Sequence, residues 1–247
     1  MSPVAGRTVL VTRAAEDAAP WAERLAALGA TPVVFPCLVC ETLDDAPTRA
    51  ALAAALDGAA WLALTSRRGV EAVEALVPGG VPPSVAVAAV GPATATAARA
   101  LLGRCELVAP EGTGASLAEA LRRELAAHPS PAAPPPKIAI AAADRAERHL
   151  ERVLEPEGVR VARVAVYRTV PAPPETPRVA LDALGIDTIL LASPSAVAGL
   201  VHRAVVPDGA VIVTIGPSTT EAARAHGLAV RSEARRPGLE GILEVIP

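Results

Sequence analysis

The 247 residues are 51% apolar, carry 23 Lys and Arg against 26 Asp and Glu, and have a formal net charge of −3. That balance argues against a general nucleic-acid binder, and no apolar run approaches the roughly 18 residues of a membrane span. The length suits about two domains, and the N-terminus shows neither the basic nor the apolar region of an export signal, so a cytoplasmic location is expected.

In chain order, short apolar runs of the kind buried on both faces of a parallel sheet occur at 8–12, 33–35, 61–65, 85–90, 138–142, 188–192 and 211–215. Between them, stretches rich in Ala, Leu, Arg and Glu predict helices over 17–28, 93–102, 115–127, 144–155 and 218–226. Several end at a glycine, namely Gly29, Gly103, Gly158 and Gly227, where helix C-caps favour that residue. Alternating strand and helix predict an α/β fold with doubly wound parallel sheets. HPSPAAPPP (128–136) cannot hold regular structure and reads as a linker or loop. The rings are Trp21, Phe35, Trp61 and Tyr167, so Ala, Val and Leu must build the core.

The chain repeats itself. GPATATAARA (91–100) and GPSTTEAARA (216–225) share seven of ten positions at an offset of 125. The likeness extends to WLALTSRRGVEAV (61–73) against ILLASPSAVAGLV (189–201), and to residues 8–35 against 137–164. Two like-built halves follow, and with them one site shared between the halves.

In open α/β sheets, ligands sit beyond the carboxyl ends of the strands. The turns there carry Thr12-Arg13, Thr65-Ser66-Arg67-Arg68, Gly91-Pro92-Ala93-Thr94, Ser193-Pro194-Ser195 and Gly216-Pro217-Ser218-Thr219. Hydroxyls and Arg at helix N-termini favour anions, although each Ser or Thr equally suits a helix N-cap. The same GP-x-T turn in both halves predicts two anion-friendly edges and a large, multiply anionic ligand. His128, His149, His202 and His226 are scattered and read as solvated or capping. Cys37 and Cys40 form a CxxC in an extended apolar segment, with distant Cys105 left over, which reads as free thiols.

TSRRGVEAV, VGPATATAA, VAVYRT, ILLASPSAV and IGPSTTEAA, in this order, resemble the uroporphyrinogen-III synthase family along essentially the whole chain. The resemblance implies two flavodoxin-like domains joined by two extended crossing segments. Domain one would take 1–36 plus 169–247, domain two 41–164, and the crossings 37–40 and 165–168, with 128–136 as a surface loop. It implies a lyase of haem and porphyrin biosynthesis that closes hydroxymethylbilane, with its eight carboxylates, into uroporphyrinogen III while inverting the last pyrrole ring. No cofactor and no metal are implied. Tyr167 is the catalytic residue the resemblance points to, assisting departure of the substrate hydroxyl. Arg13, Thr65, Ser66, Arg68, Thr94, Ser193, Ser195, Ser218 and Thr219 are its substrate-gripping positions, with Arg67, Arg145 and Arg148 as further candidates. A monomer is expected, taking its substrate by transient hand-over from hydroxymethylbilane synthase, with no nucleic-acid or membrane partner. Two rival readings stand beside it: a non-enzymatic two-lobed binding protein for a polyanion, and a nucleotide-sugar transferase.

Overall fold

The computed structural model describes residues 2–127 and 135–247, so most of the Pro-rich stretch 128–136 lies outside the described residues. Strand β1 (Thr8–Val11) leads through helix α1 (Ala15–Ala27) into β2 (Thr31–Val34). Pro36 has no N–H to donate and ends that run; β3 (Leu38–Thr42) resumes it. There follow α2 (Ala46–Leu56), β4 (Trp61–Leu64), α3 (Arg67–Leu76), β5 (Ala86–Ala89), α4 (Pro92–Leu102), β6 (Leu107–Val108) and α5 (Gly114–Ala127). Next come β7 (Lys137–Ala143), α6 (His149–Leu154) and the long β8 (Arg160–Pro171). The chain closes with β9 (Val179–Ala180), β10 (Thr188–Leu191), α7 (Pro194–Arg203), β11 (Ala204–Val205), β12 (Val211–Thr214), α8 (Pro217–Ala225), β13 (Val230–Glu233) and α9 (Leu239–Leu243).

Clustering of contacts divides the chain into two compact units, Met1–Cys40 with Thr169–Pro247, and Glu41–Arg168. In the first, the sheet order is β13-β12-β10-β1-β2 and every pairing is parallel. In the second, the order is β3-β8-β7-β4-β5-β6, parallel from β8 to β6. The repeats are thus interleaved. The first repeat gives β1 and β2 to a sheet completed by β10, β12 and β13, while the second gives β7 and β8 to a sheet completed by β4, β5 and β6. The parallel α/β architecture expected from the sequence is present.

Period-two alternation sorts the core of the second unit. Ile138 and Ile140 pack with Leu117, Leu121 and Leu150 on one face, and Ala139 and Ala141 with Leu64, Val70 and Val73 on the other. A fully buried Leu contributes roughly 1.5–3 kcal/mol, so a core almost without rings suffices. Two of the rings in the first unit also meet cations: the Arg13 guanidinium lies 4.9 Å from the Trp21 ring centre and that of Arg203 4.7 Å from Phe35.

Two expectations change. The run at 33–35 is not buried on both faces, because β2 is an edge strand and Val34 is 42% exposed. The helix expected over 144–155 begins only at His149. Residues 144–148 form a loop instead, because the Asp144 N–H donates to the Tyr167 carbonyl (3.0 Å) and the Ala146 N–H to that of Ala143 (3.2 Å).

Candidate active site

The register of β8 against β7 sets the site in the second unit. Pairing runs Ala142↔Ala165 and then Ala143↔Tyr167, so one residue of β8 is skipped. Such a bulge turns the following side chain to the other face. Tyr167 accordingly joins Val164 and Val166 in the cluster beneath α2 and α3, with only 9% of its surface exposed. Its hydroxyl ends 2.9 Å from Ser66 Oγ, and either oxygen is able to donate. Ser66 is the N-cap of α3, accepting the Gly69 N–H at 3.0 Å.

Beside Tyr167 lies a cavity of about 300 Å³, walled by Thr65, Val90, Gly112, Glu147, Arg163 and Tyr167 among others. The loop that replaced the expected helix supplies one wall, and the loop ahead of α5 another. Across β8, Glu151 and Arg163 form a buried ion pair, their side chains 7% and 16% exposed. Burial by itself raises the Glu151 carboxyl. Hydrogen bonding and charge from Arg163, with Arg148 behind, outweigh that and hold it below the ordinary carboxylate range.

The GP-x-T turns are built alike in both units. Gly91 and Gly216 are the N-caps of α4 and α8, each with extended backbone, no side-chain cap, and Pro at the first helical position. Thr94 and Thr219, three residues after those glycines, are buried, 5% and 1% exposed. They are not caps, and the glycine caps leave backbone N–H groups unclaimed by side chains. A Cβ on Gly91 would come within 3.3 Å of Gly112 Cα, so this turn is also tightly packed against the cavity loop.

The remaining expected residues are placed as follows. In the first unit Ser193 caps α7, accepting the Ala196 N–H at 3.1 Å, while Ser195 is half-buried and Ser218 exposed. Arg13 packs over Trp21 and lies 3.7 Å from Asp17. In the second unit Arg68 is half-buried, Arg67 pairs with Glu71 at 3.0 Å, and Arg145 and Arg148 are largely exposed. Thr65, Ser66 and Tyr167 are the expected residues brought together at one place. Arg163 and Glu151 were not expected; an Arg inside the apolar run of β8 was the signal available for the first.

Among the described residues no cluster of three His, Cys, Asp or Glu forms a metal site, and no helix is long and apolar enough to cross a membrane. All three cysteines are free thiols. Burial pushes Cys37 up to about 12, against the weaker pull of Arg203, so its thiolate is scarce at neutral pH.

The family described as Uroporphyrinogen-III synthase HemD matches residues 19–244. The chain belongs to the uroporphyrinogen-III synthase family. A uroporphyrinogen-III synthase of Synechococcus elongatus is 28% identical over 99% of this chain and 96% of its own. A chloroplastic uroporphyrinogen-III synthase of rice is 31% identical over 44% of this chain and 37% of its own. Among solved structures, a mutant uroporphyrinogen III synthase of Thermus thermophilus aligns with a TM-score of 0.51 at 19% identity, covering 97% of this chain and 96% of that one. The synthetase of Helicobacter pylori aligns with 0.53 at 14%, covering 96% of each. At such identities the structures bear on the fold alone, while the family assignment makes the chain a lyase of tetrapyrrole biosynthesis.

Proposed function

We propose that the chain closes hydroxymethylbilane to uroporphyrinogen III, with Tyr167 as the group that assists departure of the terminal hydroxyl. One observation carries the reading: the Ser66–Tyr167 hydrogen bond at the wall of the cavity. Ser66 Oγ already accepts from Gly69, so its single proton is best spent on Tyr167 Oη. The phenolic proton is then free to point at the substrate. The chain of donors, Gly69 N–H to Ser66 to Tyr167, polarises the last O–H of the series and makes it the better donor. As the C–O bond of the substrate breaks, Tyr167 protonates the departing oxygen, which leaves as water. The freed methylene carbon bonds to the substituted carbon of the last ring, and the older bridge bond at that carbon breaks and re-forms at the ring's free α-carbon. The proton lost there restores the pyrrole and returns to Tyr167. No nucleophile of the protein is required, since holding two reacting ends in place supplies several kcal/mol by itself.

The eight carboxylates need grips. We assign these to the uncapped N-termini of α4 and α8 with Thr94 and Thr219, to Thr65, Ser66, Ser193 and Ser195 at the other turns, and to Arg13 and Arg68, with Ser218 as the outermost. We also take the two compact units as separately folding domains, and the protein as a cytoplasmic monomer, a setting that suits three free thiols. The test is product analysis. Hydroxymethylbilane incubated with the protein should yield the type III isomer, where unaided closure gives the uninverted ring. If only the uninverted isomer forms, at the uncatalysed rate, the proposed activity is wrong and the binding-protein reading takes its place.

A further inference from the structure

The cavity beside Tyr167 contains a cation that the proposed reaction has not yet used. Arg163 stands on β8 opposite Ile140, four residues before Tyr167. Its Nε and Nη2 both donate to the Glu151 carboxylate, Nη2 at 2.9 Å, and Nη2 also donates to the Glu147 carbonyl at 3.0 Å. Its Nη1 is buried and has no hydrogen-bond partner among the described residues. Two of the three guanidinium nitrogens are therefore locked to the protein, and the third is not.

An orphan nitrogen alone would decide nothing. Arg104 also has one, at Nε, yet its Nη2 donates to the carbonyls of Val81, Pro82 and Val85 and so ties down a loop. Arg163 differs because it lines the same cavity as Thr65 and Tyr167. Glu151 balances its charge only in part: Arg148 stands 4.0 Å from the same carboxylate, so two cations share one anion. With Nε and both Nη2 hydrogens taken by Glu151 and the Glu147 carbonyl, the guanidinium keeps Nη1 for another carboxylate, a charge-assisted contact at one point.

We infer that Arg163, oriented by Glu151, binds one carboxylate side chain of the substrate within the cavity walled by Thr65 and Tyr167. This rests on the reading of the site as one for a polycarboxylate tetrapyrrole. Nη1 is buried in the free protein, so the entering carboxylate displaces the wall over it while the Glu151 pair holds the fork in place. Glu151 is a positioning residue: it fixes the plane of the fork and never touches the ligand. Arg163 and Tyr167 stand four residues apart on β8, roughly 13 Å along the strand, and line the same cavity, so the grip holds the substrate at the place where its hydroxyl leaves.

The experiment is calorimetric titration of uroporphyrinogen III, kept reduced under nitrogen, into wild type, Arg163→Lys, Arg163→Gln and the double variant Arg163→Gln with Glu151→Gln. The double variant leaves no unpaired buried charge, so it decides the matter if Arg163→Gln fails to fold. Loss of the grip should weaken binding at least tenfold and flatten the dependence of Kd on salt, with Arg163→Lys in between. A residue that only braces β8 against α6 would lower the melting temperature and leave both readouts of the folded protein unchanged. Wild-type Kd and salt dependence in the folded Gln variants overturn the inference, and leave the proposed reaction intact if type III product still forms. Weakened binding by those variants, with no type III product from wild type, sinks the proposed reaction and keeps the grip. A wild type that does not bind uroporphyrinogen III at all ends both.

Discussion

Replacing Tyr167 by Phe separates the chemistry of that residue from its packing. The ring is nine-tenths buried against Val164 and Val166, and a phenyl fills the same space. What goes is one oxygen and its bond to Ser66 Oγ. A neutral hydrogen bond of that kind is worth about 1 kcal/mol, and Ser66 keeps its bond from Gly69, so the melting temperature should fall by only about 2–4 °C in a protein of this size. Loss of a donor aimed at charge developing in the transition state costs far more, roughly 10²- to 10³-fold in kcat, or about 2.7–4 kcal/mol on the barrier. Ser66→Ala gives the complementary case. It removes the helix cap, at about 1 kcal/mol of stability, and the polarising partner, but leaves the phenol able to donate; its loss of kcat should be the smaller one. The assay is initial rate of uroporphyrinogen formation from hydroxymethylbilane, with isomers resolved and unfolding monitored alongside. Tyr167→Phe turning over at the wild-type rate, with the type III isomer dominant, would refute the relay and leave Tyr167 as packing.

Gly199→Ala should destabilise the protein despite the better helix propensity of Ala. A Cβ there would sit 1.8 Å from the Cys37 carbonyl oxygen, and forcing backbone apart costs at least the 1–3 kcal/mol of an overpacked core against about 1 kcal/mol gained; Gly209→Ala, with open space around it, is the control in urea titrations. Glu151 is held below the ordinary carboxylate range, so its stabilisation is complete above the unfolded value near 4.3 and disappears as pH falls through the folded one. Glu151→Gln should therefore be about 3 kcal/mol less stable at pH 7 and show a shallower loss of stability between pH 5 and 3; an unchanged acid slope would exclude Glu151 as the titrating group. Cys37 should resist a thiol reagent at pH 8 until the protein unfolds, whereas half-exposed Cys40 reacts in the native state; equal rates would contradict the burial of Cys37. A fragment of residues 41–168 should melt cooperatively, and one of 1–130 should not, because the latter lacks β10 and β7, which complete the sheets beside β1 and β4.

The fold was legible because its signals are local. Apolar runs bounded by helix-ending glycines marked the strands, and Gly103 closes α4 in the left-handed conformation that the pattern predicts (φ 78°). The paired GP-x-T turns were equally plain, but not their inner geometry: glycine, rather than the threonine, occupies the cap, and Thr94 and Thr219 are buried behind it. The non-local features were hidden. Nothing near Tyr167 announces the skipped residue that turns its ring, since a bulge depends on the partner strand. Residues 144–148 have helical composition, and a hydrogen bond to Tyr167 overrides it. Gly199 looks like a weak point in α7 until Cys37, distant in sequence, is found against it. Arg163 was passed over because an apolar strand was read for its periodicity and not for its exception.

The interleaving of the repeats also sets a timetable for synthesis. Val9 in β1 pairs with Thr188 in β10, so the first strand made waits for 179 further residues before that neighbour exists. At about 5–20 residues per second this is roughly 10–35 s on the ribosome. During that time an apolar edge, Val9 to Val11, has only β2 to cover it. The sheet of β4 to β8, by contrast, is complete once residue 171 has emerged. The nascent chain must therefore fold from its middle outward, and the protein's exposure to aggregation is concentrated in its first forty residues, where early binding by a chaperone would matter most.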